Sequence, residues 1–99
     1  MNVNKVSDLT ASDVAEYLRI TDATTDDTNT LNTILNVAKV YVGEYTGRKL
    51  NELDDYKDII IAVLILCQDM WDNRTLYVDN SNVNKVVESI LGLHSVNLL

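Results

Sequence analysis

At 99 residues the chain has room for one domain with a modest core. Eight Lys and Arg against fifteen Asp and Glu give a formal charge of −7, which argues against nucleic-acid binding by phosphate neutralisation, since that needs clustered cations. Zero Pro, three Gly and no Phe favour a helical chain with few tight turns, and the single Cys67 gives no internal disulfide.

The start, Met1-Asn2-Val3-Asn4-Lys5, lacks the apolar region of a signal peptide, so a reducing cytoplasm is the expected setting. On that reading Asn73-Arg74-Thr75 matches a glycosylation sequon only by chance. Thr10-Ala11-Ser12-Asp13 fits the capping-box pattern, in which a hydroxyl and a carboxylate satisfy the free N–H groups of a helix start. Val14, Tyr17 and Leu18 follow at i, i+3, i+4, predicting a first amphipathic helix over 11–19, with Ile20 completing its apolar face. From Thr21 to Thr30 only Ala23 is apolar, so this stretch reads as a solvated loop in which Asp26, Asp27 or Thr28 can cap the next helix. Leu31, Ile34, Leu35, Ala38, Tyr41, Val42 and Tyr45 repeat at helical spacing. They predict a second helix over 28–46, with Gly47 just past its end. Arg48 to Leu53 reads as a connection.

The central element is predicted over 55–74. Asp54, Asp55 and Asp58 suit the positive end of a helix dipole and Arg74 the negative end. Between them Ile59 to Cys67 are nine consecutive apolar residues, which cover every direction around a helix and so call for neighbours on all sides. Nine is far short of the roughly 18 to 20 needed to cross a bilayer, so no membrane association is expected. Thr75-Leu76-Tyr77-Val78 has β propensity but is short, and Asp79-Asn80-Ser81-Asn82 is turn-prone. Val83, Val86, Val87, Ile90 and Leu91 mark a fourth helix over 83–91, closed by Gly92. The tail, 93–99, is apolar and uncapped; it either folds back on the core or docks on a neighbouring chain. The fold class is therefore all-α, a small bundle of about four helices in one domain.

No enzyme signature emerges. His94 is the only histidine and has no metal-ligand spacing, so it reads as a partly exposed polar residue on an interface strand. Asp22, Asp26 and Asp27 lack the order of a calcium loop. Gly43 to Lys49 is one residue short of a phosphate loop and ends a helix instead of opening one. Cys67, inside the apolar run, reads as an inert core thiol. Tyr17, Tyr41, Tyr45, Tyr56 and Trp71 read as core or interface aromatics. No catalytic, metal or cofactor site is assigned.

The order of several motifs carries a further reading. Val6-Ser7-Asp8-Leu9-Thr10 is followed by Val14 and Tyr17-Leu18-Arg19-Ile20, then an acidic loop. Tyr41-Val42 precedes Tyr45-Thr46-Gly47-Arg48, and Asp54-Asp55-Tyr56 precedes the aliphatic helix ending Trp71-Asp72-Asn73-Arg74. Ser89-Ile90-Leu91-Gly92 completes the series. Together these resemble the head–tail connector (adaptor) family of tailed bacteriophages and prophages, often described as possible DNA-packaging proteins. The resemblance covers nearly the whole chain. The chain departs from the family at Lys57, where Pro is usual, and at Asn82-Val83, where Pro is frequent.

The resemblance implies a structural virion protein at the head–tail junction, made in the bacterial cytoplasm. It implies a homo-oligomeric ring of about a dozen subunits below the portal protein, extending the DNA channel toward a downstream connector or tail-completion protein. DNA would pass through without sequence-specific binding, and an acidic wall fits such a conduit unless Lys39, Arg48, Lys49 or Lys57 line it. The subunit or portal interface is then expected at Tyr77, Val83, Val86, Val87, Ile90, Leu91, Leu93, Val96, Leu98 and Leu99. The alternative reading is a small cytoplasmic helical regulatory or protein-binding module.

Overall fold

A computed structural model describes residues 2–96. A 3-10 turn at Val6–Asp8 precedes five α-helices: α1 (Ala11–Tyr17), α2 (Thr25–Thr46), α3 (Leu50–Leu53), α4 (Asp58–Asn73) and α5 (Lys85–His94). No strand occurs among the described residues, so the protein is all-α, and Thr75 to Val78 is irregular chain. The bundle measures about 46 × 29 × 18 Å. α4 lies most extensively on α2 and next on α5, while α1 packs chiefly on α2. Leu31, Ile34, Ala38 and Val42 from α2 meet Ile59, Val63, Leu66 and Met70 from α4 and Val87 and Leu91 from α5 in one continuous core. No described helix is long and apolar enough to cross a membrane.

Both early helix starts are held by capping boxes. At α1 the Asp13 backbone N–H donates to the Thr10 hydroxyl, and the Asp13 carboxylate accepts from the Thr10 N–H. Thr24 and Asp27 do the same for α2, which therefore begins at Thr25, three residues before the expected 28. α1 stops at Tyr17, short of 19, because Arg19 adopts a left-handed conformation (φ 58°) and the Ile20 N–H reaches back to the Ala15 carbonyl. Two glycines close α2 for different reasons. Gly47 supplies φ 70°, whereas a Cβ on Gly43 would sit 3.3 Å from the Arg48 carbonyl oxygen.

The central helix begins at Asp58, not at 55, and the chain before it folds into the separate turn α3. Leu53 and Ile59 are both fully buried. Six residues apart, they would point about 120° away from each other on one continuous helix, and the break lets both turn inward. Asp54 is consequently not part of a helix start. Its carboxylate accepts from the Ser7 N–H at 2.9 Å and from the Ser7 hydroxyl at 2.7 Å, tying the N-terminal turn to this break.

α5 also differs from the sequence reading. It starts at Lys85 because the Asn84 side chain caps the Val86 N–H, and it runs through Gly92 to His94. Gly92 keeps a right-handed conformation and has no atom within 4 Å of where its Cβ would stand. Leu93 and His94 thus belong to a helix, and His94 is on no strand.

Partial desolvation pushes the Asp54 carboxyl up, but the two bonds from Ser7 and the charges of Lys5 and Lys39 outweigh it, leaving it below the ordinary carboxylate value. A depressed value means stability that is present above the unfolded pKa and lost as pH falls through the folded one. Asp54→Ala should therefore cost about 1 kcal/mol at pH 7, discounted for solvent exposure, with the gap to wild type closing below about pH 4. Thermal melts of both proteins across that range check this.

Candidate interaction surface

The chain ends of α2, α4 and α5 meet at a clasp. The His94 Nε2 lies 2.8 Å from both carboxylate oxygens of Asp58, the first residue of α4. The imidazole stacks on the Tyr56 ring at 4.1 Å, and the Arg48 guanidinium lies 5.6 Å from the centre of the same ring. Arg48 Nε donates to the His94 carbonyl at 2.6 Å, the Val96 N–H donates to the Thr46 carbonyl at 2.8 Å, and the Ser95 hydroxyl returns to the Leu91 carbonyl. The His94 side chain is 14% exposed and the Asp58 side chain 38%, so an ion pair forms here whenever the imidazole carries a proton. Ser95 and Val96 thus fold back on helix ends of the same chain, and 97–99 lie outside the described residues.

The clasp fixes α5 antiparallel to α4 and thereby orients its apolar flank. Val86, Ile90 and Leu93 fall at spacings of four and three, on one side of α5. Glu88, whose charge acts on Tyr41 of α2, lies on the other side, so this flank is turned away from α2. Leu93 is 75% exposed and Val86 is exposed, whereas Ile90 is half-buried. Along α4 a strip formed by Ile61, Ile65, Gln68 and Asp72 is also turned away from α2, and Ile61 is 52% exposed. The expectation that neighbours enclose α4 on all sides is thus corrected: among the described residues α2, α5, α1 and the Val6–Asp8 turn cover its other faces and leave this strip open. The Tyr17 hydroxyl donates to Gln68 Oε1 at 3.4 Å, which places α1 along one border of the strip.

The expected interface residues divide. Val86, Ile90 and Leu93 share the flank just described. Val87 and Leu91 are completely buried in the chain's own core and have no side-chain surface left for another chain. Val83 is half-buried and Tyr77 exposed, both at the opposite end of the molecule beside the loop that leads into α5. Val96 is exposed next to the clasp, and Leu98 and Leu99 lie outside the described residues. Sequence reasoning missed Ile61 and Ile65. The signal was present in Gln68 and Asp72, which sit seven and eleven positions after Ile61 and mark an outward-facing line that the aliphatic run conceals.

Two cations weighed as channel-lining are engaged within the chain itself. Arg48 is held by His94 and Tyr56, and Lys39 Nζ donates to the Leu9 carbonyl at 2.9 Å. Burial lowers the Lys39 pKa against the opposing pull of Cys67 and several aspartates. Cys67 is buried and its thiol is pushed up to about 12 by desolvation, which the charge of Lys39 offsets only in part.

Comparison of the chain with family models, curated proteins and solved structures yields no match. Among the described residues no group of three or more His, Cys, Asp or Glu is placed to hold a metal ion.

Truncation after Gly92 removes the clasp as well as the tail. It should lower the unfolding free energy by about 2 kcal/mol while leaving the protein helical, as read by denaturant titration. An unchanged midpoint would show that the clasp contributes nothing. Cys67 should resist iodoacetamide at pH 8 in the native protein and react fully in denaturant, as read by mass spectrometry.

Proposed function

We propose that the protein is a structural subunit of the phage head–tail connector class, acting by assembly and not by catalysis. The observation that carries this reading is the aliphatic surface on the face opposite α2. Ile61 and Ile65 on α4 and Val86, Ile90 and Leu93 on α5 lie on helices that the clasp holds in fixed relation. Exposed aliphatic side chains grouped on rigid helices are costly in water and are commonly covered by another protein surface. In a closed ring each subunit would lay one surface on its neighbour, hiding what the monomer leaves open. The order of sequence motifs supports the same reading and adds the portal and a downstream tail protein as further partners.

The acidic balance of the chain suits a conduit through which DNA slides, since nothing in it gathers cations onto one helix. The helical regulatory module is the competing reading, and its DNA-binding form requires a steeply salt-dependent gel shift that a connector subunit lacks.

Ile61→Glu combined with Leu93→Glu tests the assembly surface. Both positions are exposed, so the double variant should keep its helical circular dichroism and melt within about 1 kcal/mol of wild type. It should lose the self-association or portal binding that the proposal expects of wild type in sedimentation velocity. A double variant that assembles like wild type would remove this face from the interface.

A further inference from the structure

At the end of the molecule remote from the clasp, a cleft of about 460 Å³ opens between the C-terminal half of α4 and the loop before α5. Its lining is two-sided. Leu66, Met70, Val78 and Val83 supply apolar surface, while Asp69 and Asp79 supply carboxylates. The Asp79 carboxylate is pre-arranged by the Ser81 N–H at 3.0 Å and the Asn82 amide at 2.8 Å, which hold it below the ordinary carboxylate value. Asp69 is different. Its side chain is half-buried and makes no hydrogen bond or ion pair among the described residues. Burial first, and then the charge of Asp72, push its carboxyl up. Arg74, the cation nearest in sequence, is turned onto the Trp71 ring at 5.0 Å.

We propose that this cleft docks a basic segment of a partner protein, with one Lys or Arg side chain inserted between Asp69 and Asp79. Such a side chain combines an aliphatic stem with a cationic head, the two features that the lining matches. Tyr77, exposed and lining the cleft, offers apolar contact to the residues flanking that cation. A second copy of this chain, with fifteen acids against eight cations, is on average less complementary to these carboxylates than a basic segment is. No group of three or more His, Cys, Asp or Glu gathers here among the described residues. The inference does not depend on the connector reading, since it concerns a different end of the molecule.

The test uses a synthetic peptide, Ac-Ala-Leu-Arg-Leu-Ala-Gly-NH2, its citrulline twin and spermidine, each titrated into the labelled full chain and followed by amide chemical shifts. The arginine peptide should give saturable shifts at Asp69, Asn73, Val78 and Val83. Its affinity should fall about tenfold with citrulline or in Asp69→Asn, and stay unchanged in Asp26→Asn. Asp69→Asn should also be no less stable than wild type, because it removes a carboxylate that lacks a partner. Equal binding of the citrulline twin would make the occupant apolar and overturn the proposal. Spermidine matching the peptide would make it a free amine and overturn it too. Peptide-independent, concentration-dependent shifts at the cleft would make it a second copy. Absent shifts, or shifts spread over the other surface acids, would leave the cleft without the proposed role.

Discussion

The constraint on which the structure depends is the enclosure of α4. Nine aliphatic or thiol side chains in succession cannot all be hidden by two neighbours, and among the described residues α2, α5, α1 and the Val6–Asp8 turn are what cover them. α2 takes the broadest face, with Leu31, Ile34, Ala38 and Val42 fully or almost fully buried against it. Every other feature adjusts to that packing. The break before Asp58 lets Leu53 enter the core, the long loop after Asn73 returns the chain so that α5 can lie antiparallel, and the clasp fixes α5 in place. The face that no described element covers is the one bearing Ile61 and Ile65.

The clasp matters because it uses different chemistry from the core. Aliphatic packing is non-directional and would tolerate α5 sliding or rotating along its groove. The imidazole between Tyr56 and Asp58, with Arg48 on the His94 carbonyl, has fixed distances and angles and so selects one register. A surface composed of residues from two separate helices has a defined shape only if those helices cannot move against each other. The polar contacts at the clasp are therefore what make an aliphatic assembly face on α4 and α5 physically reasonable.

Much of the fold was legible in the sequence, and the misreadings have physical causes. Thr10 with Asp13, and the apolar spacing from Leu31 to Tyr45, carried local signals that the structure keeps. The break at 54–57 was hidden because three aspartates beside an aliphatic run look like one helix start, and only the burial of both Leu53 and Ile59 reveals otherwise. Gly92 read as a terminator, yet the helix continues because its end is decided far away in sequence, by Arg48, Tyr56 and Asp58. His94 had no local motif at all, since its partners come from other elements. The exposed strip on α4 was obscured by its own composition: isoleucine at 61 and 65 signals burial, and only Gln68 and Asp72 betray the outward direction. The cleft beside Asp69 depends on how an irregular loop folds, which no periodicity encodes.

The central claim is that the uncovered face exists for contact with another protein surface. It is tested most directly by the solution mass from light scattering across a wide concentration range, alone and with a phage portal protein as the proposed partner. The account predicts a ring-sized species or a mass that rises when the portal is added. A strict monomer of 11.1 kDa at every concentration, indifferent to the portal, would contradict it.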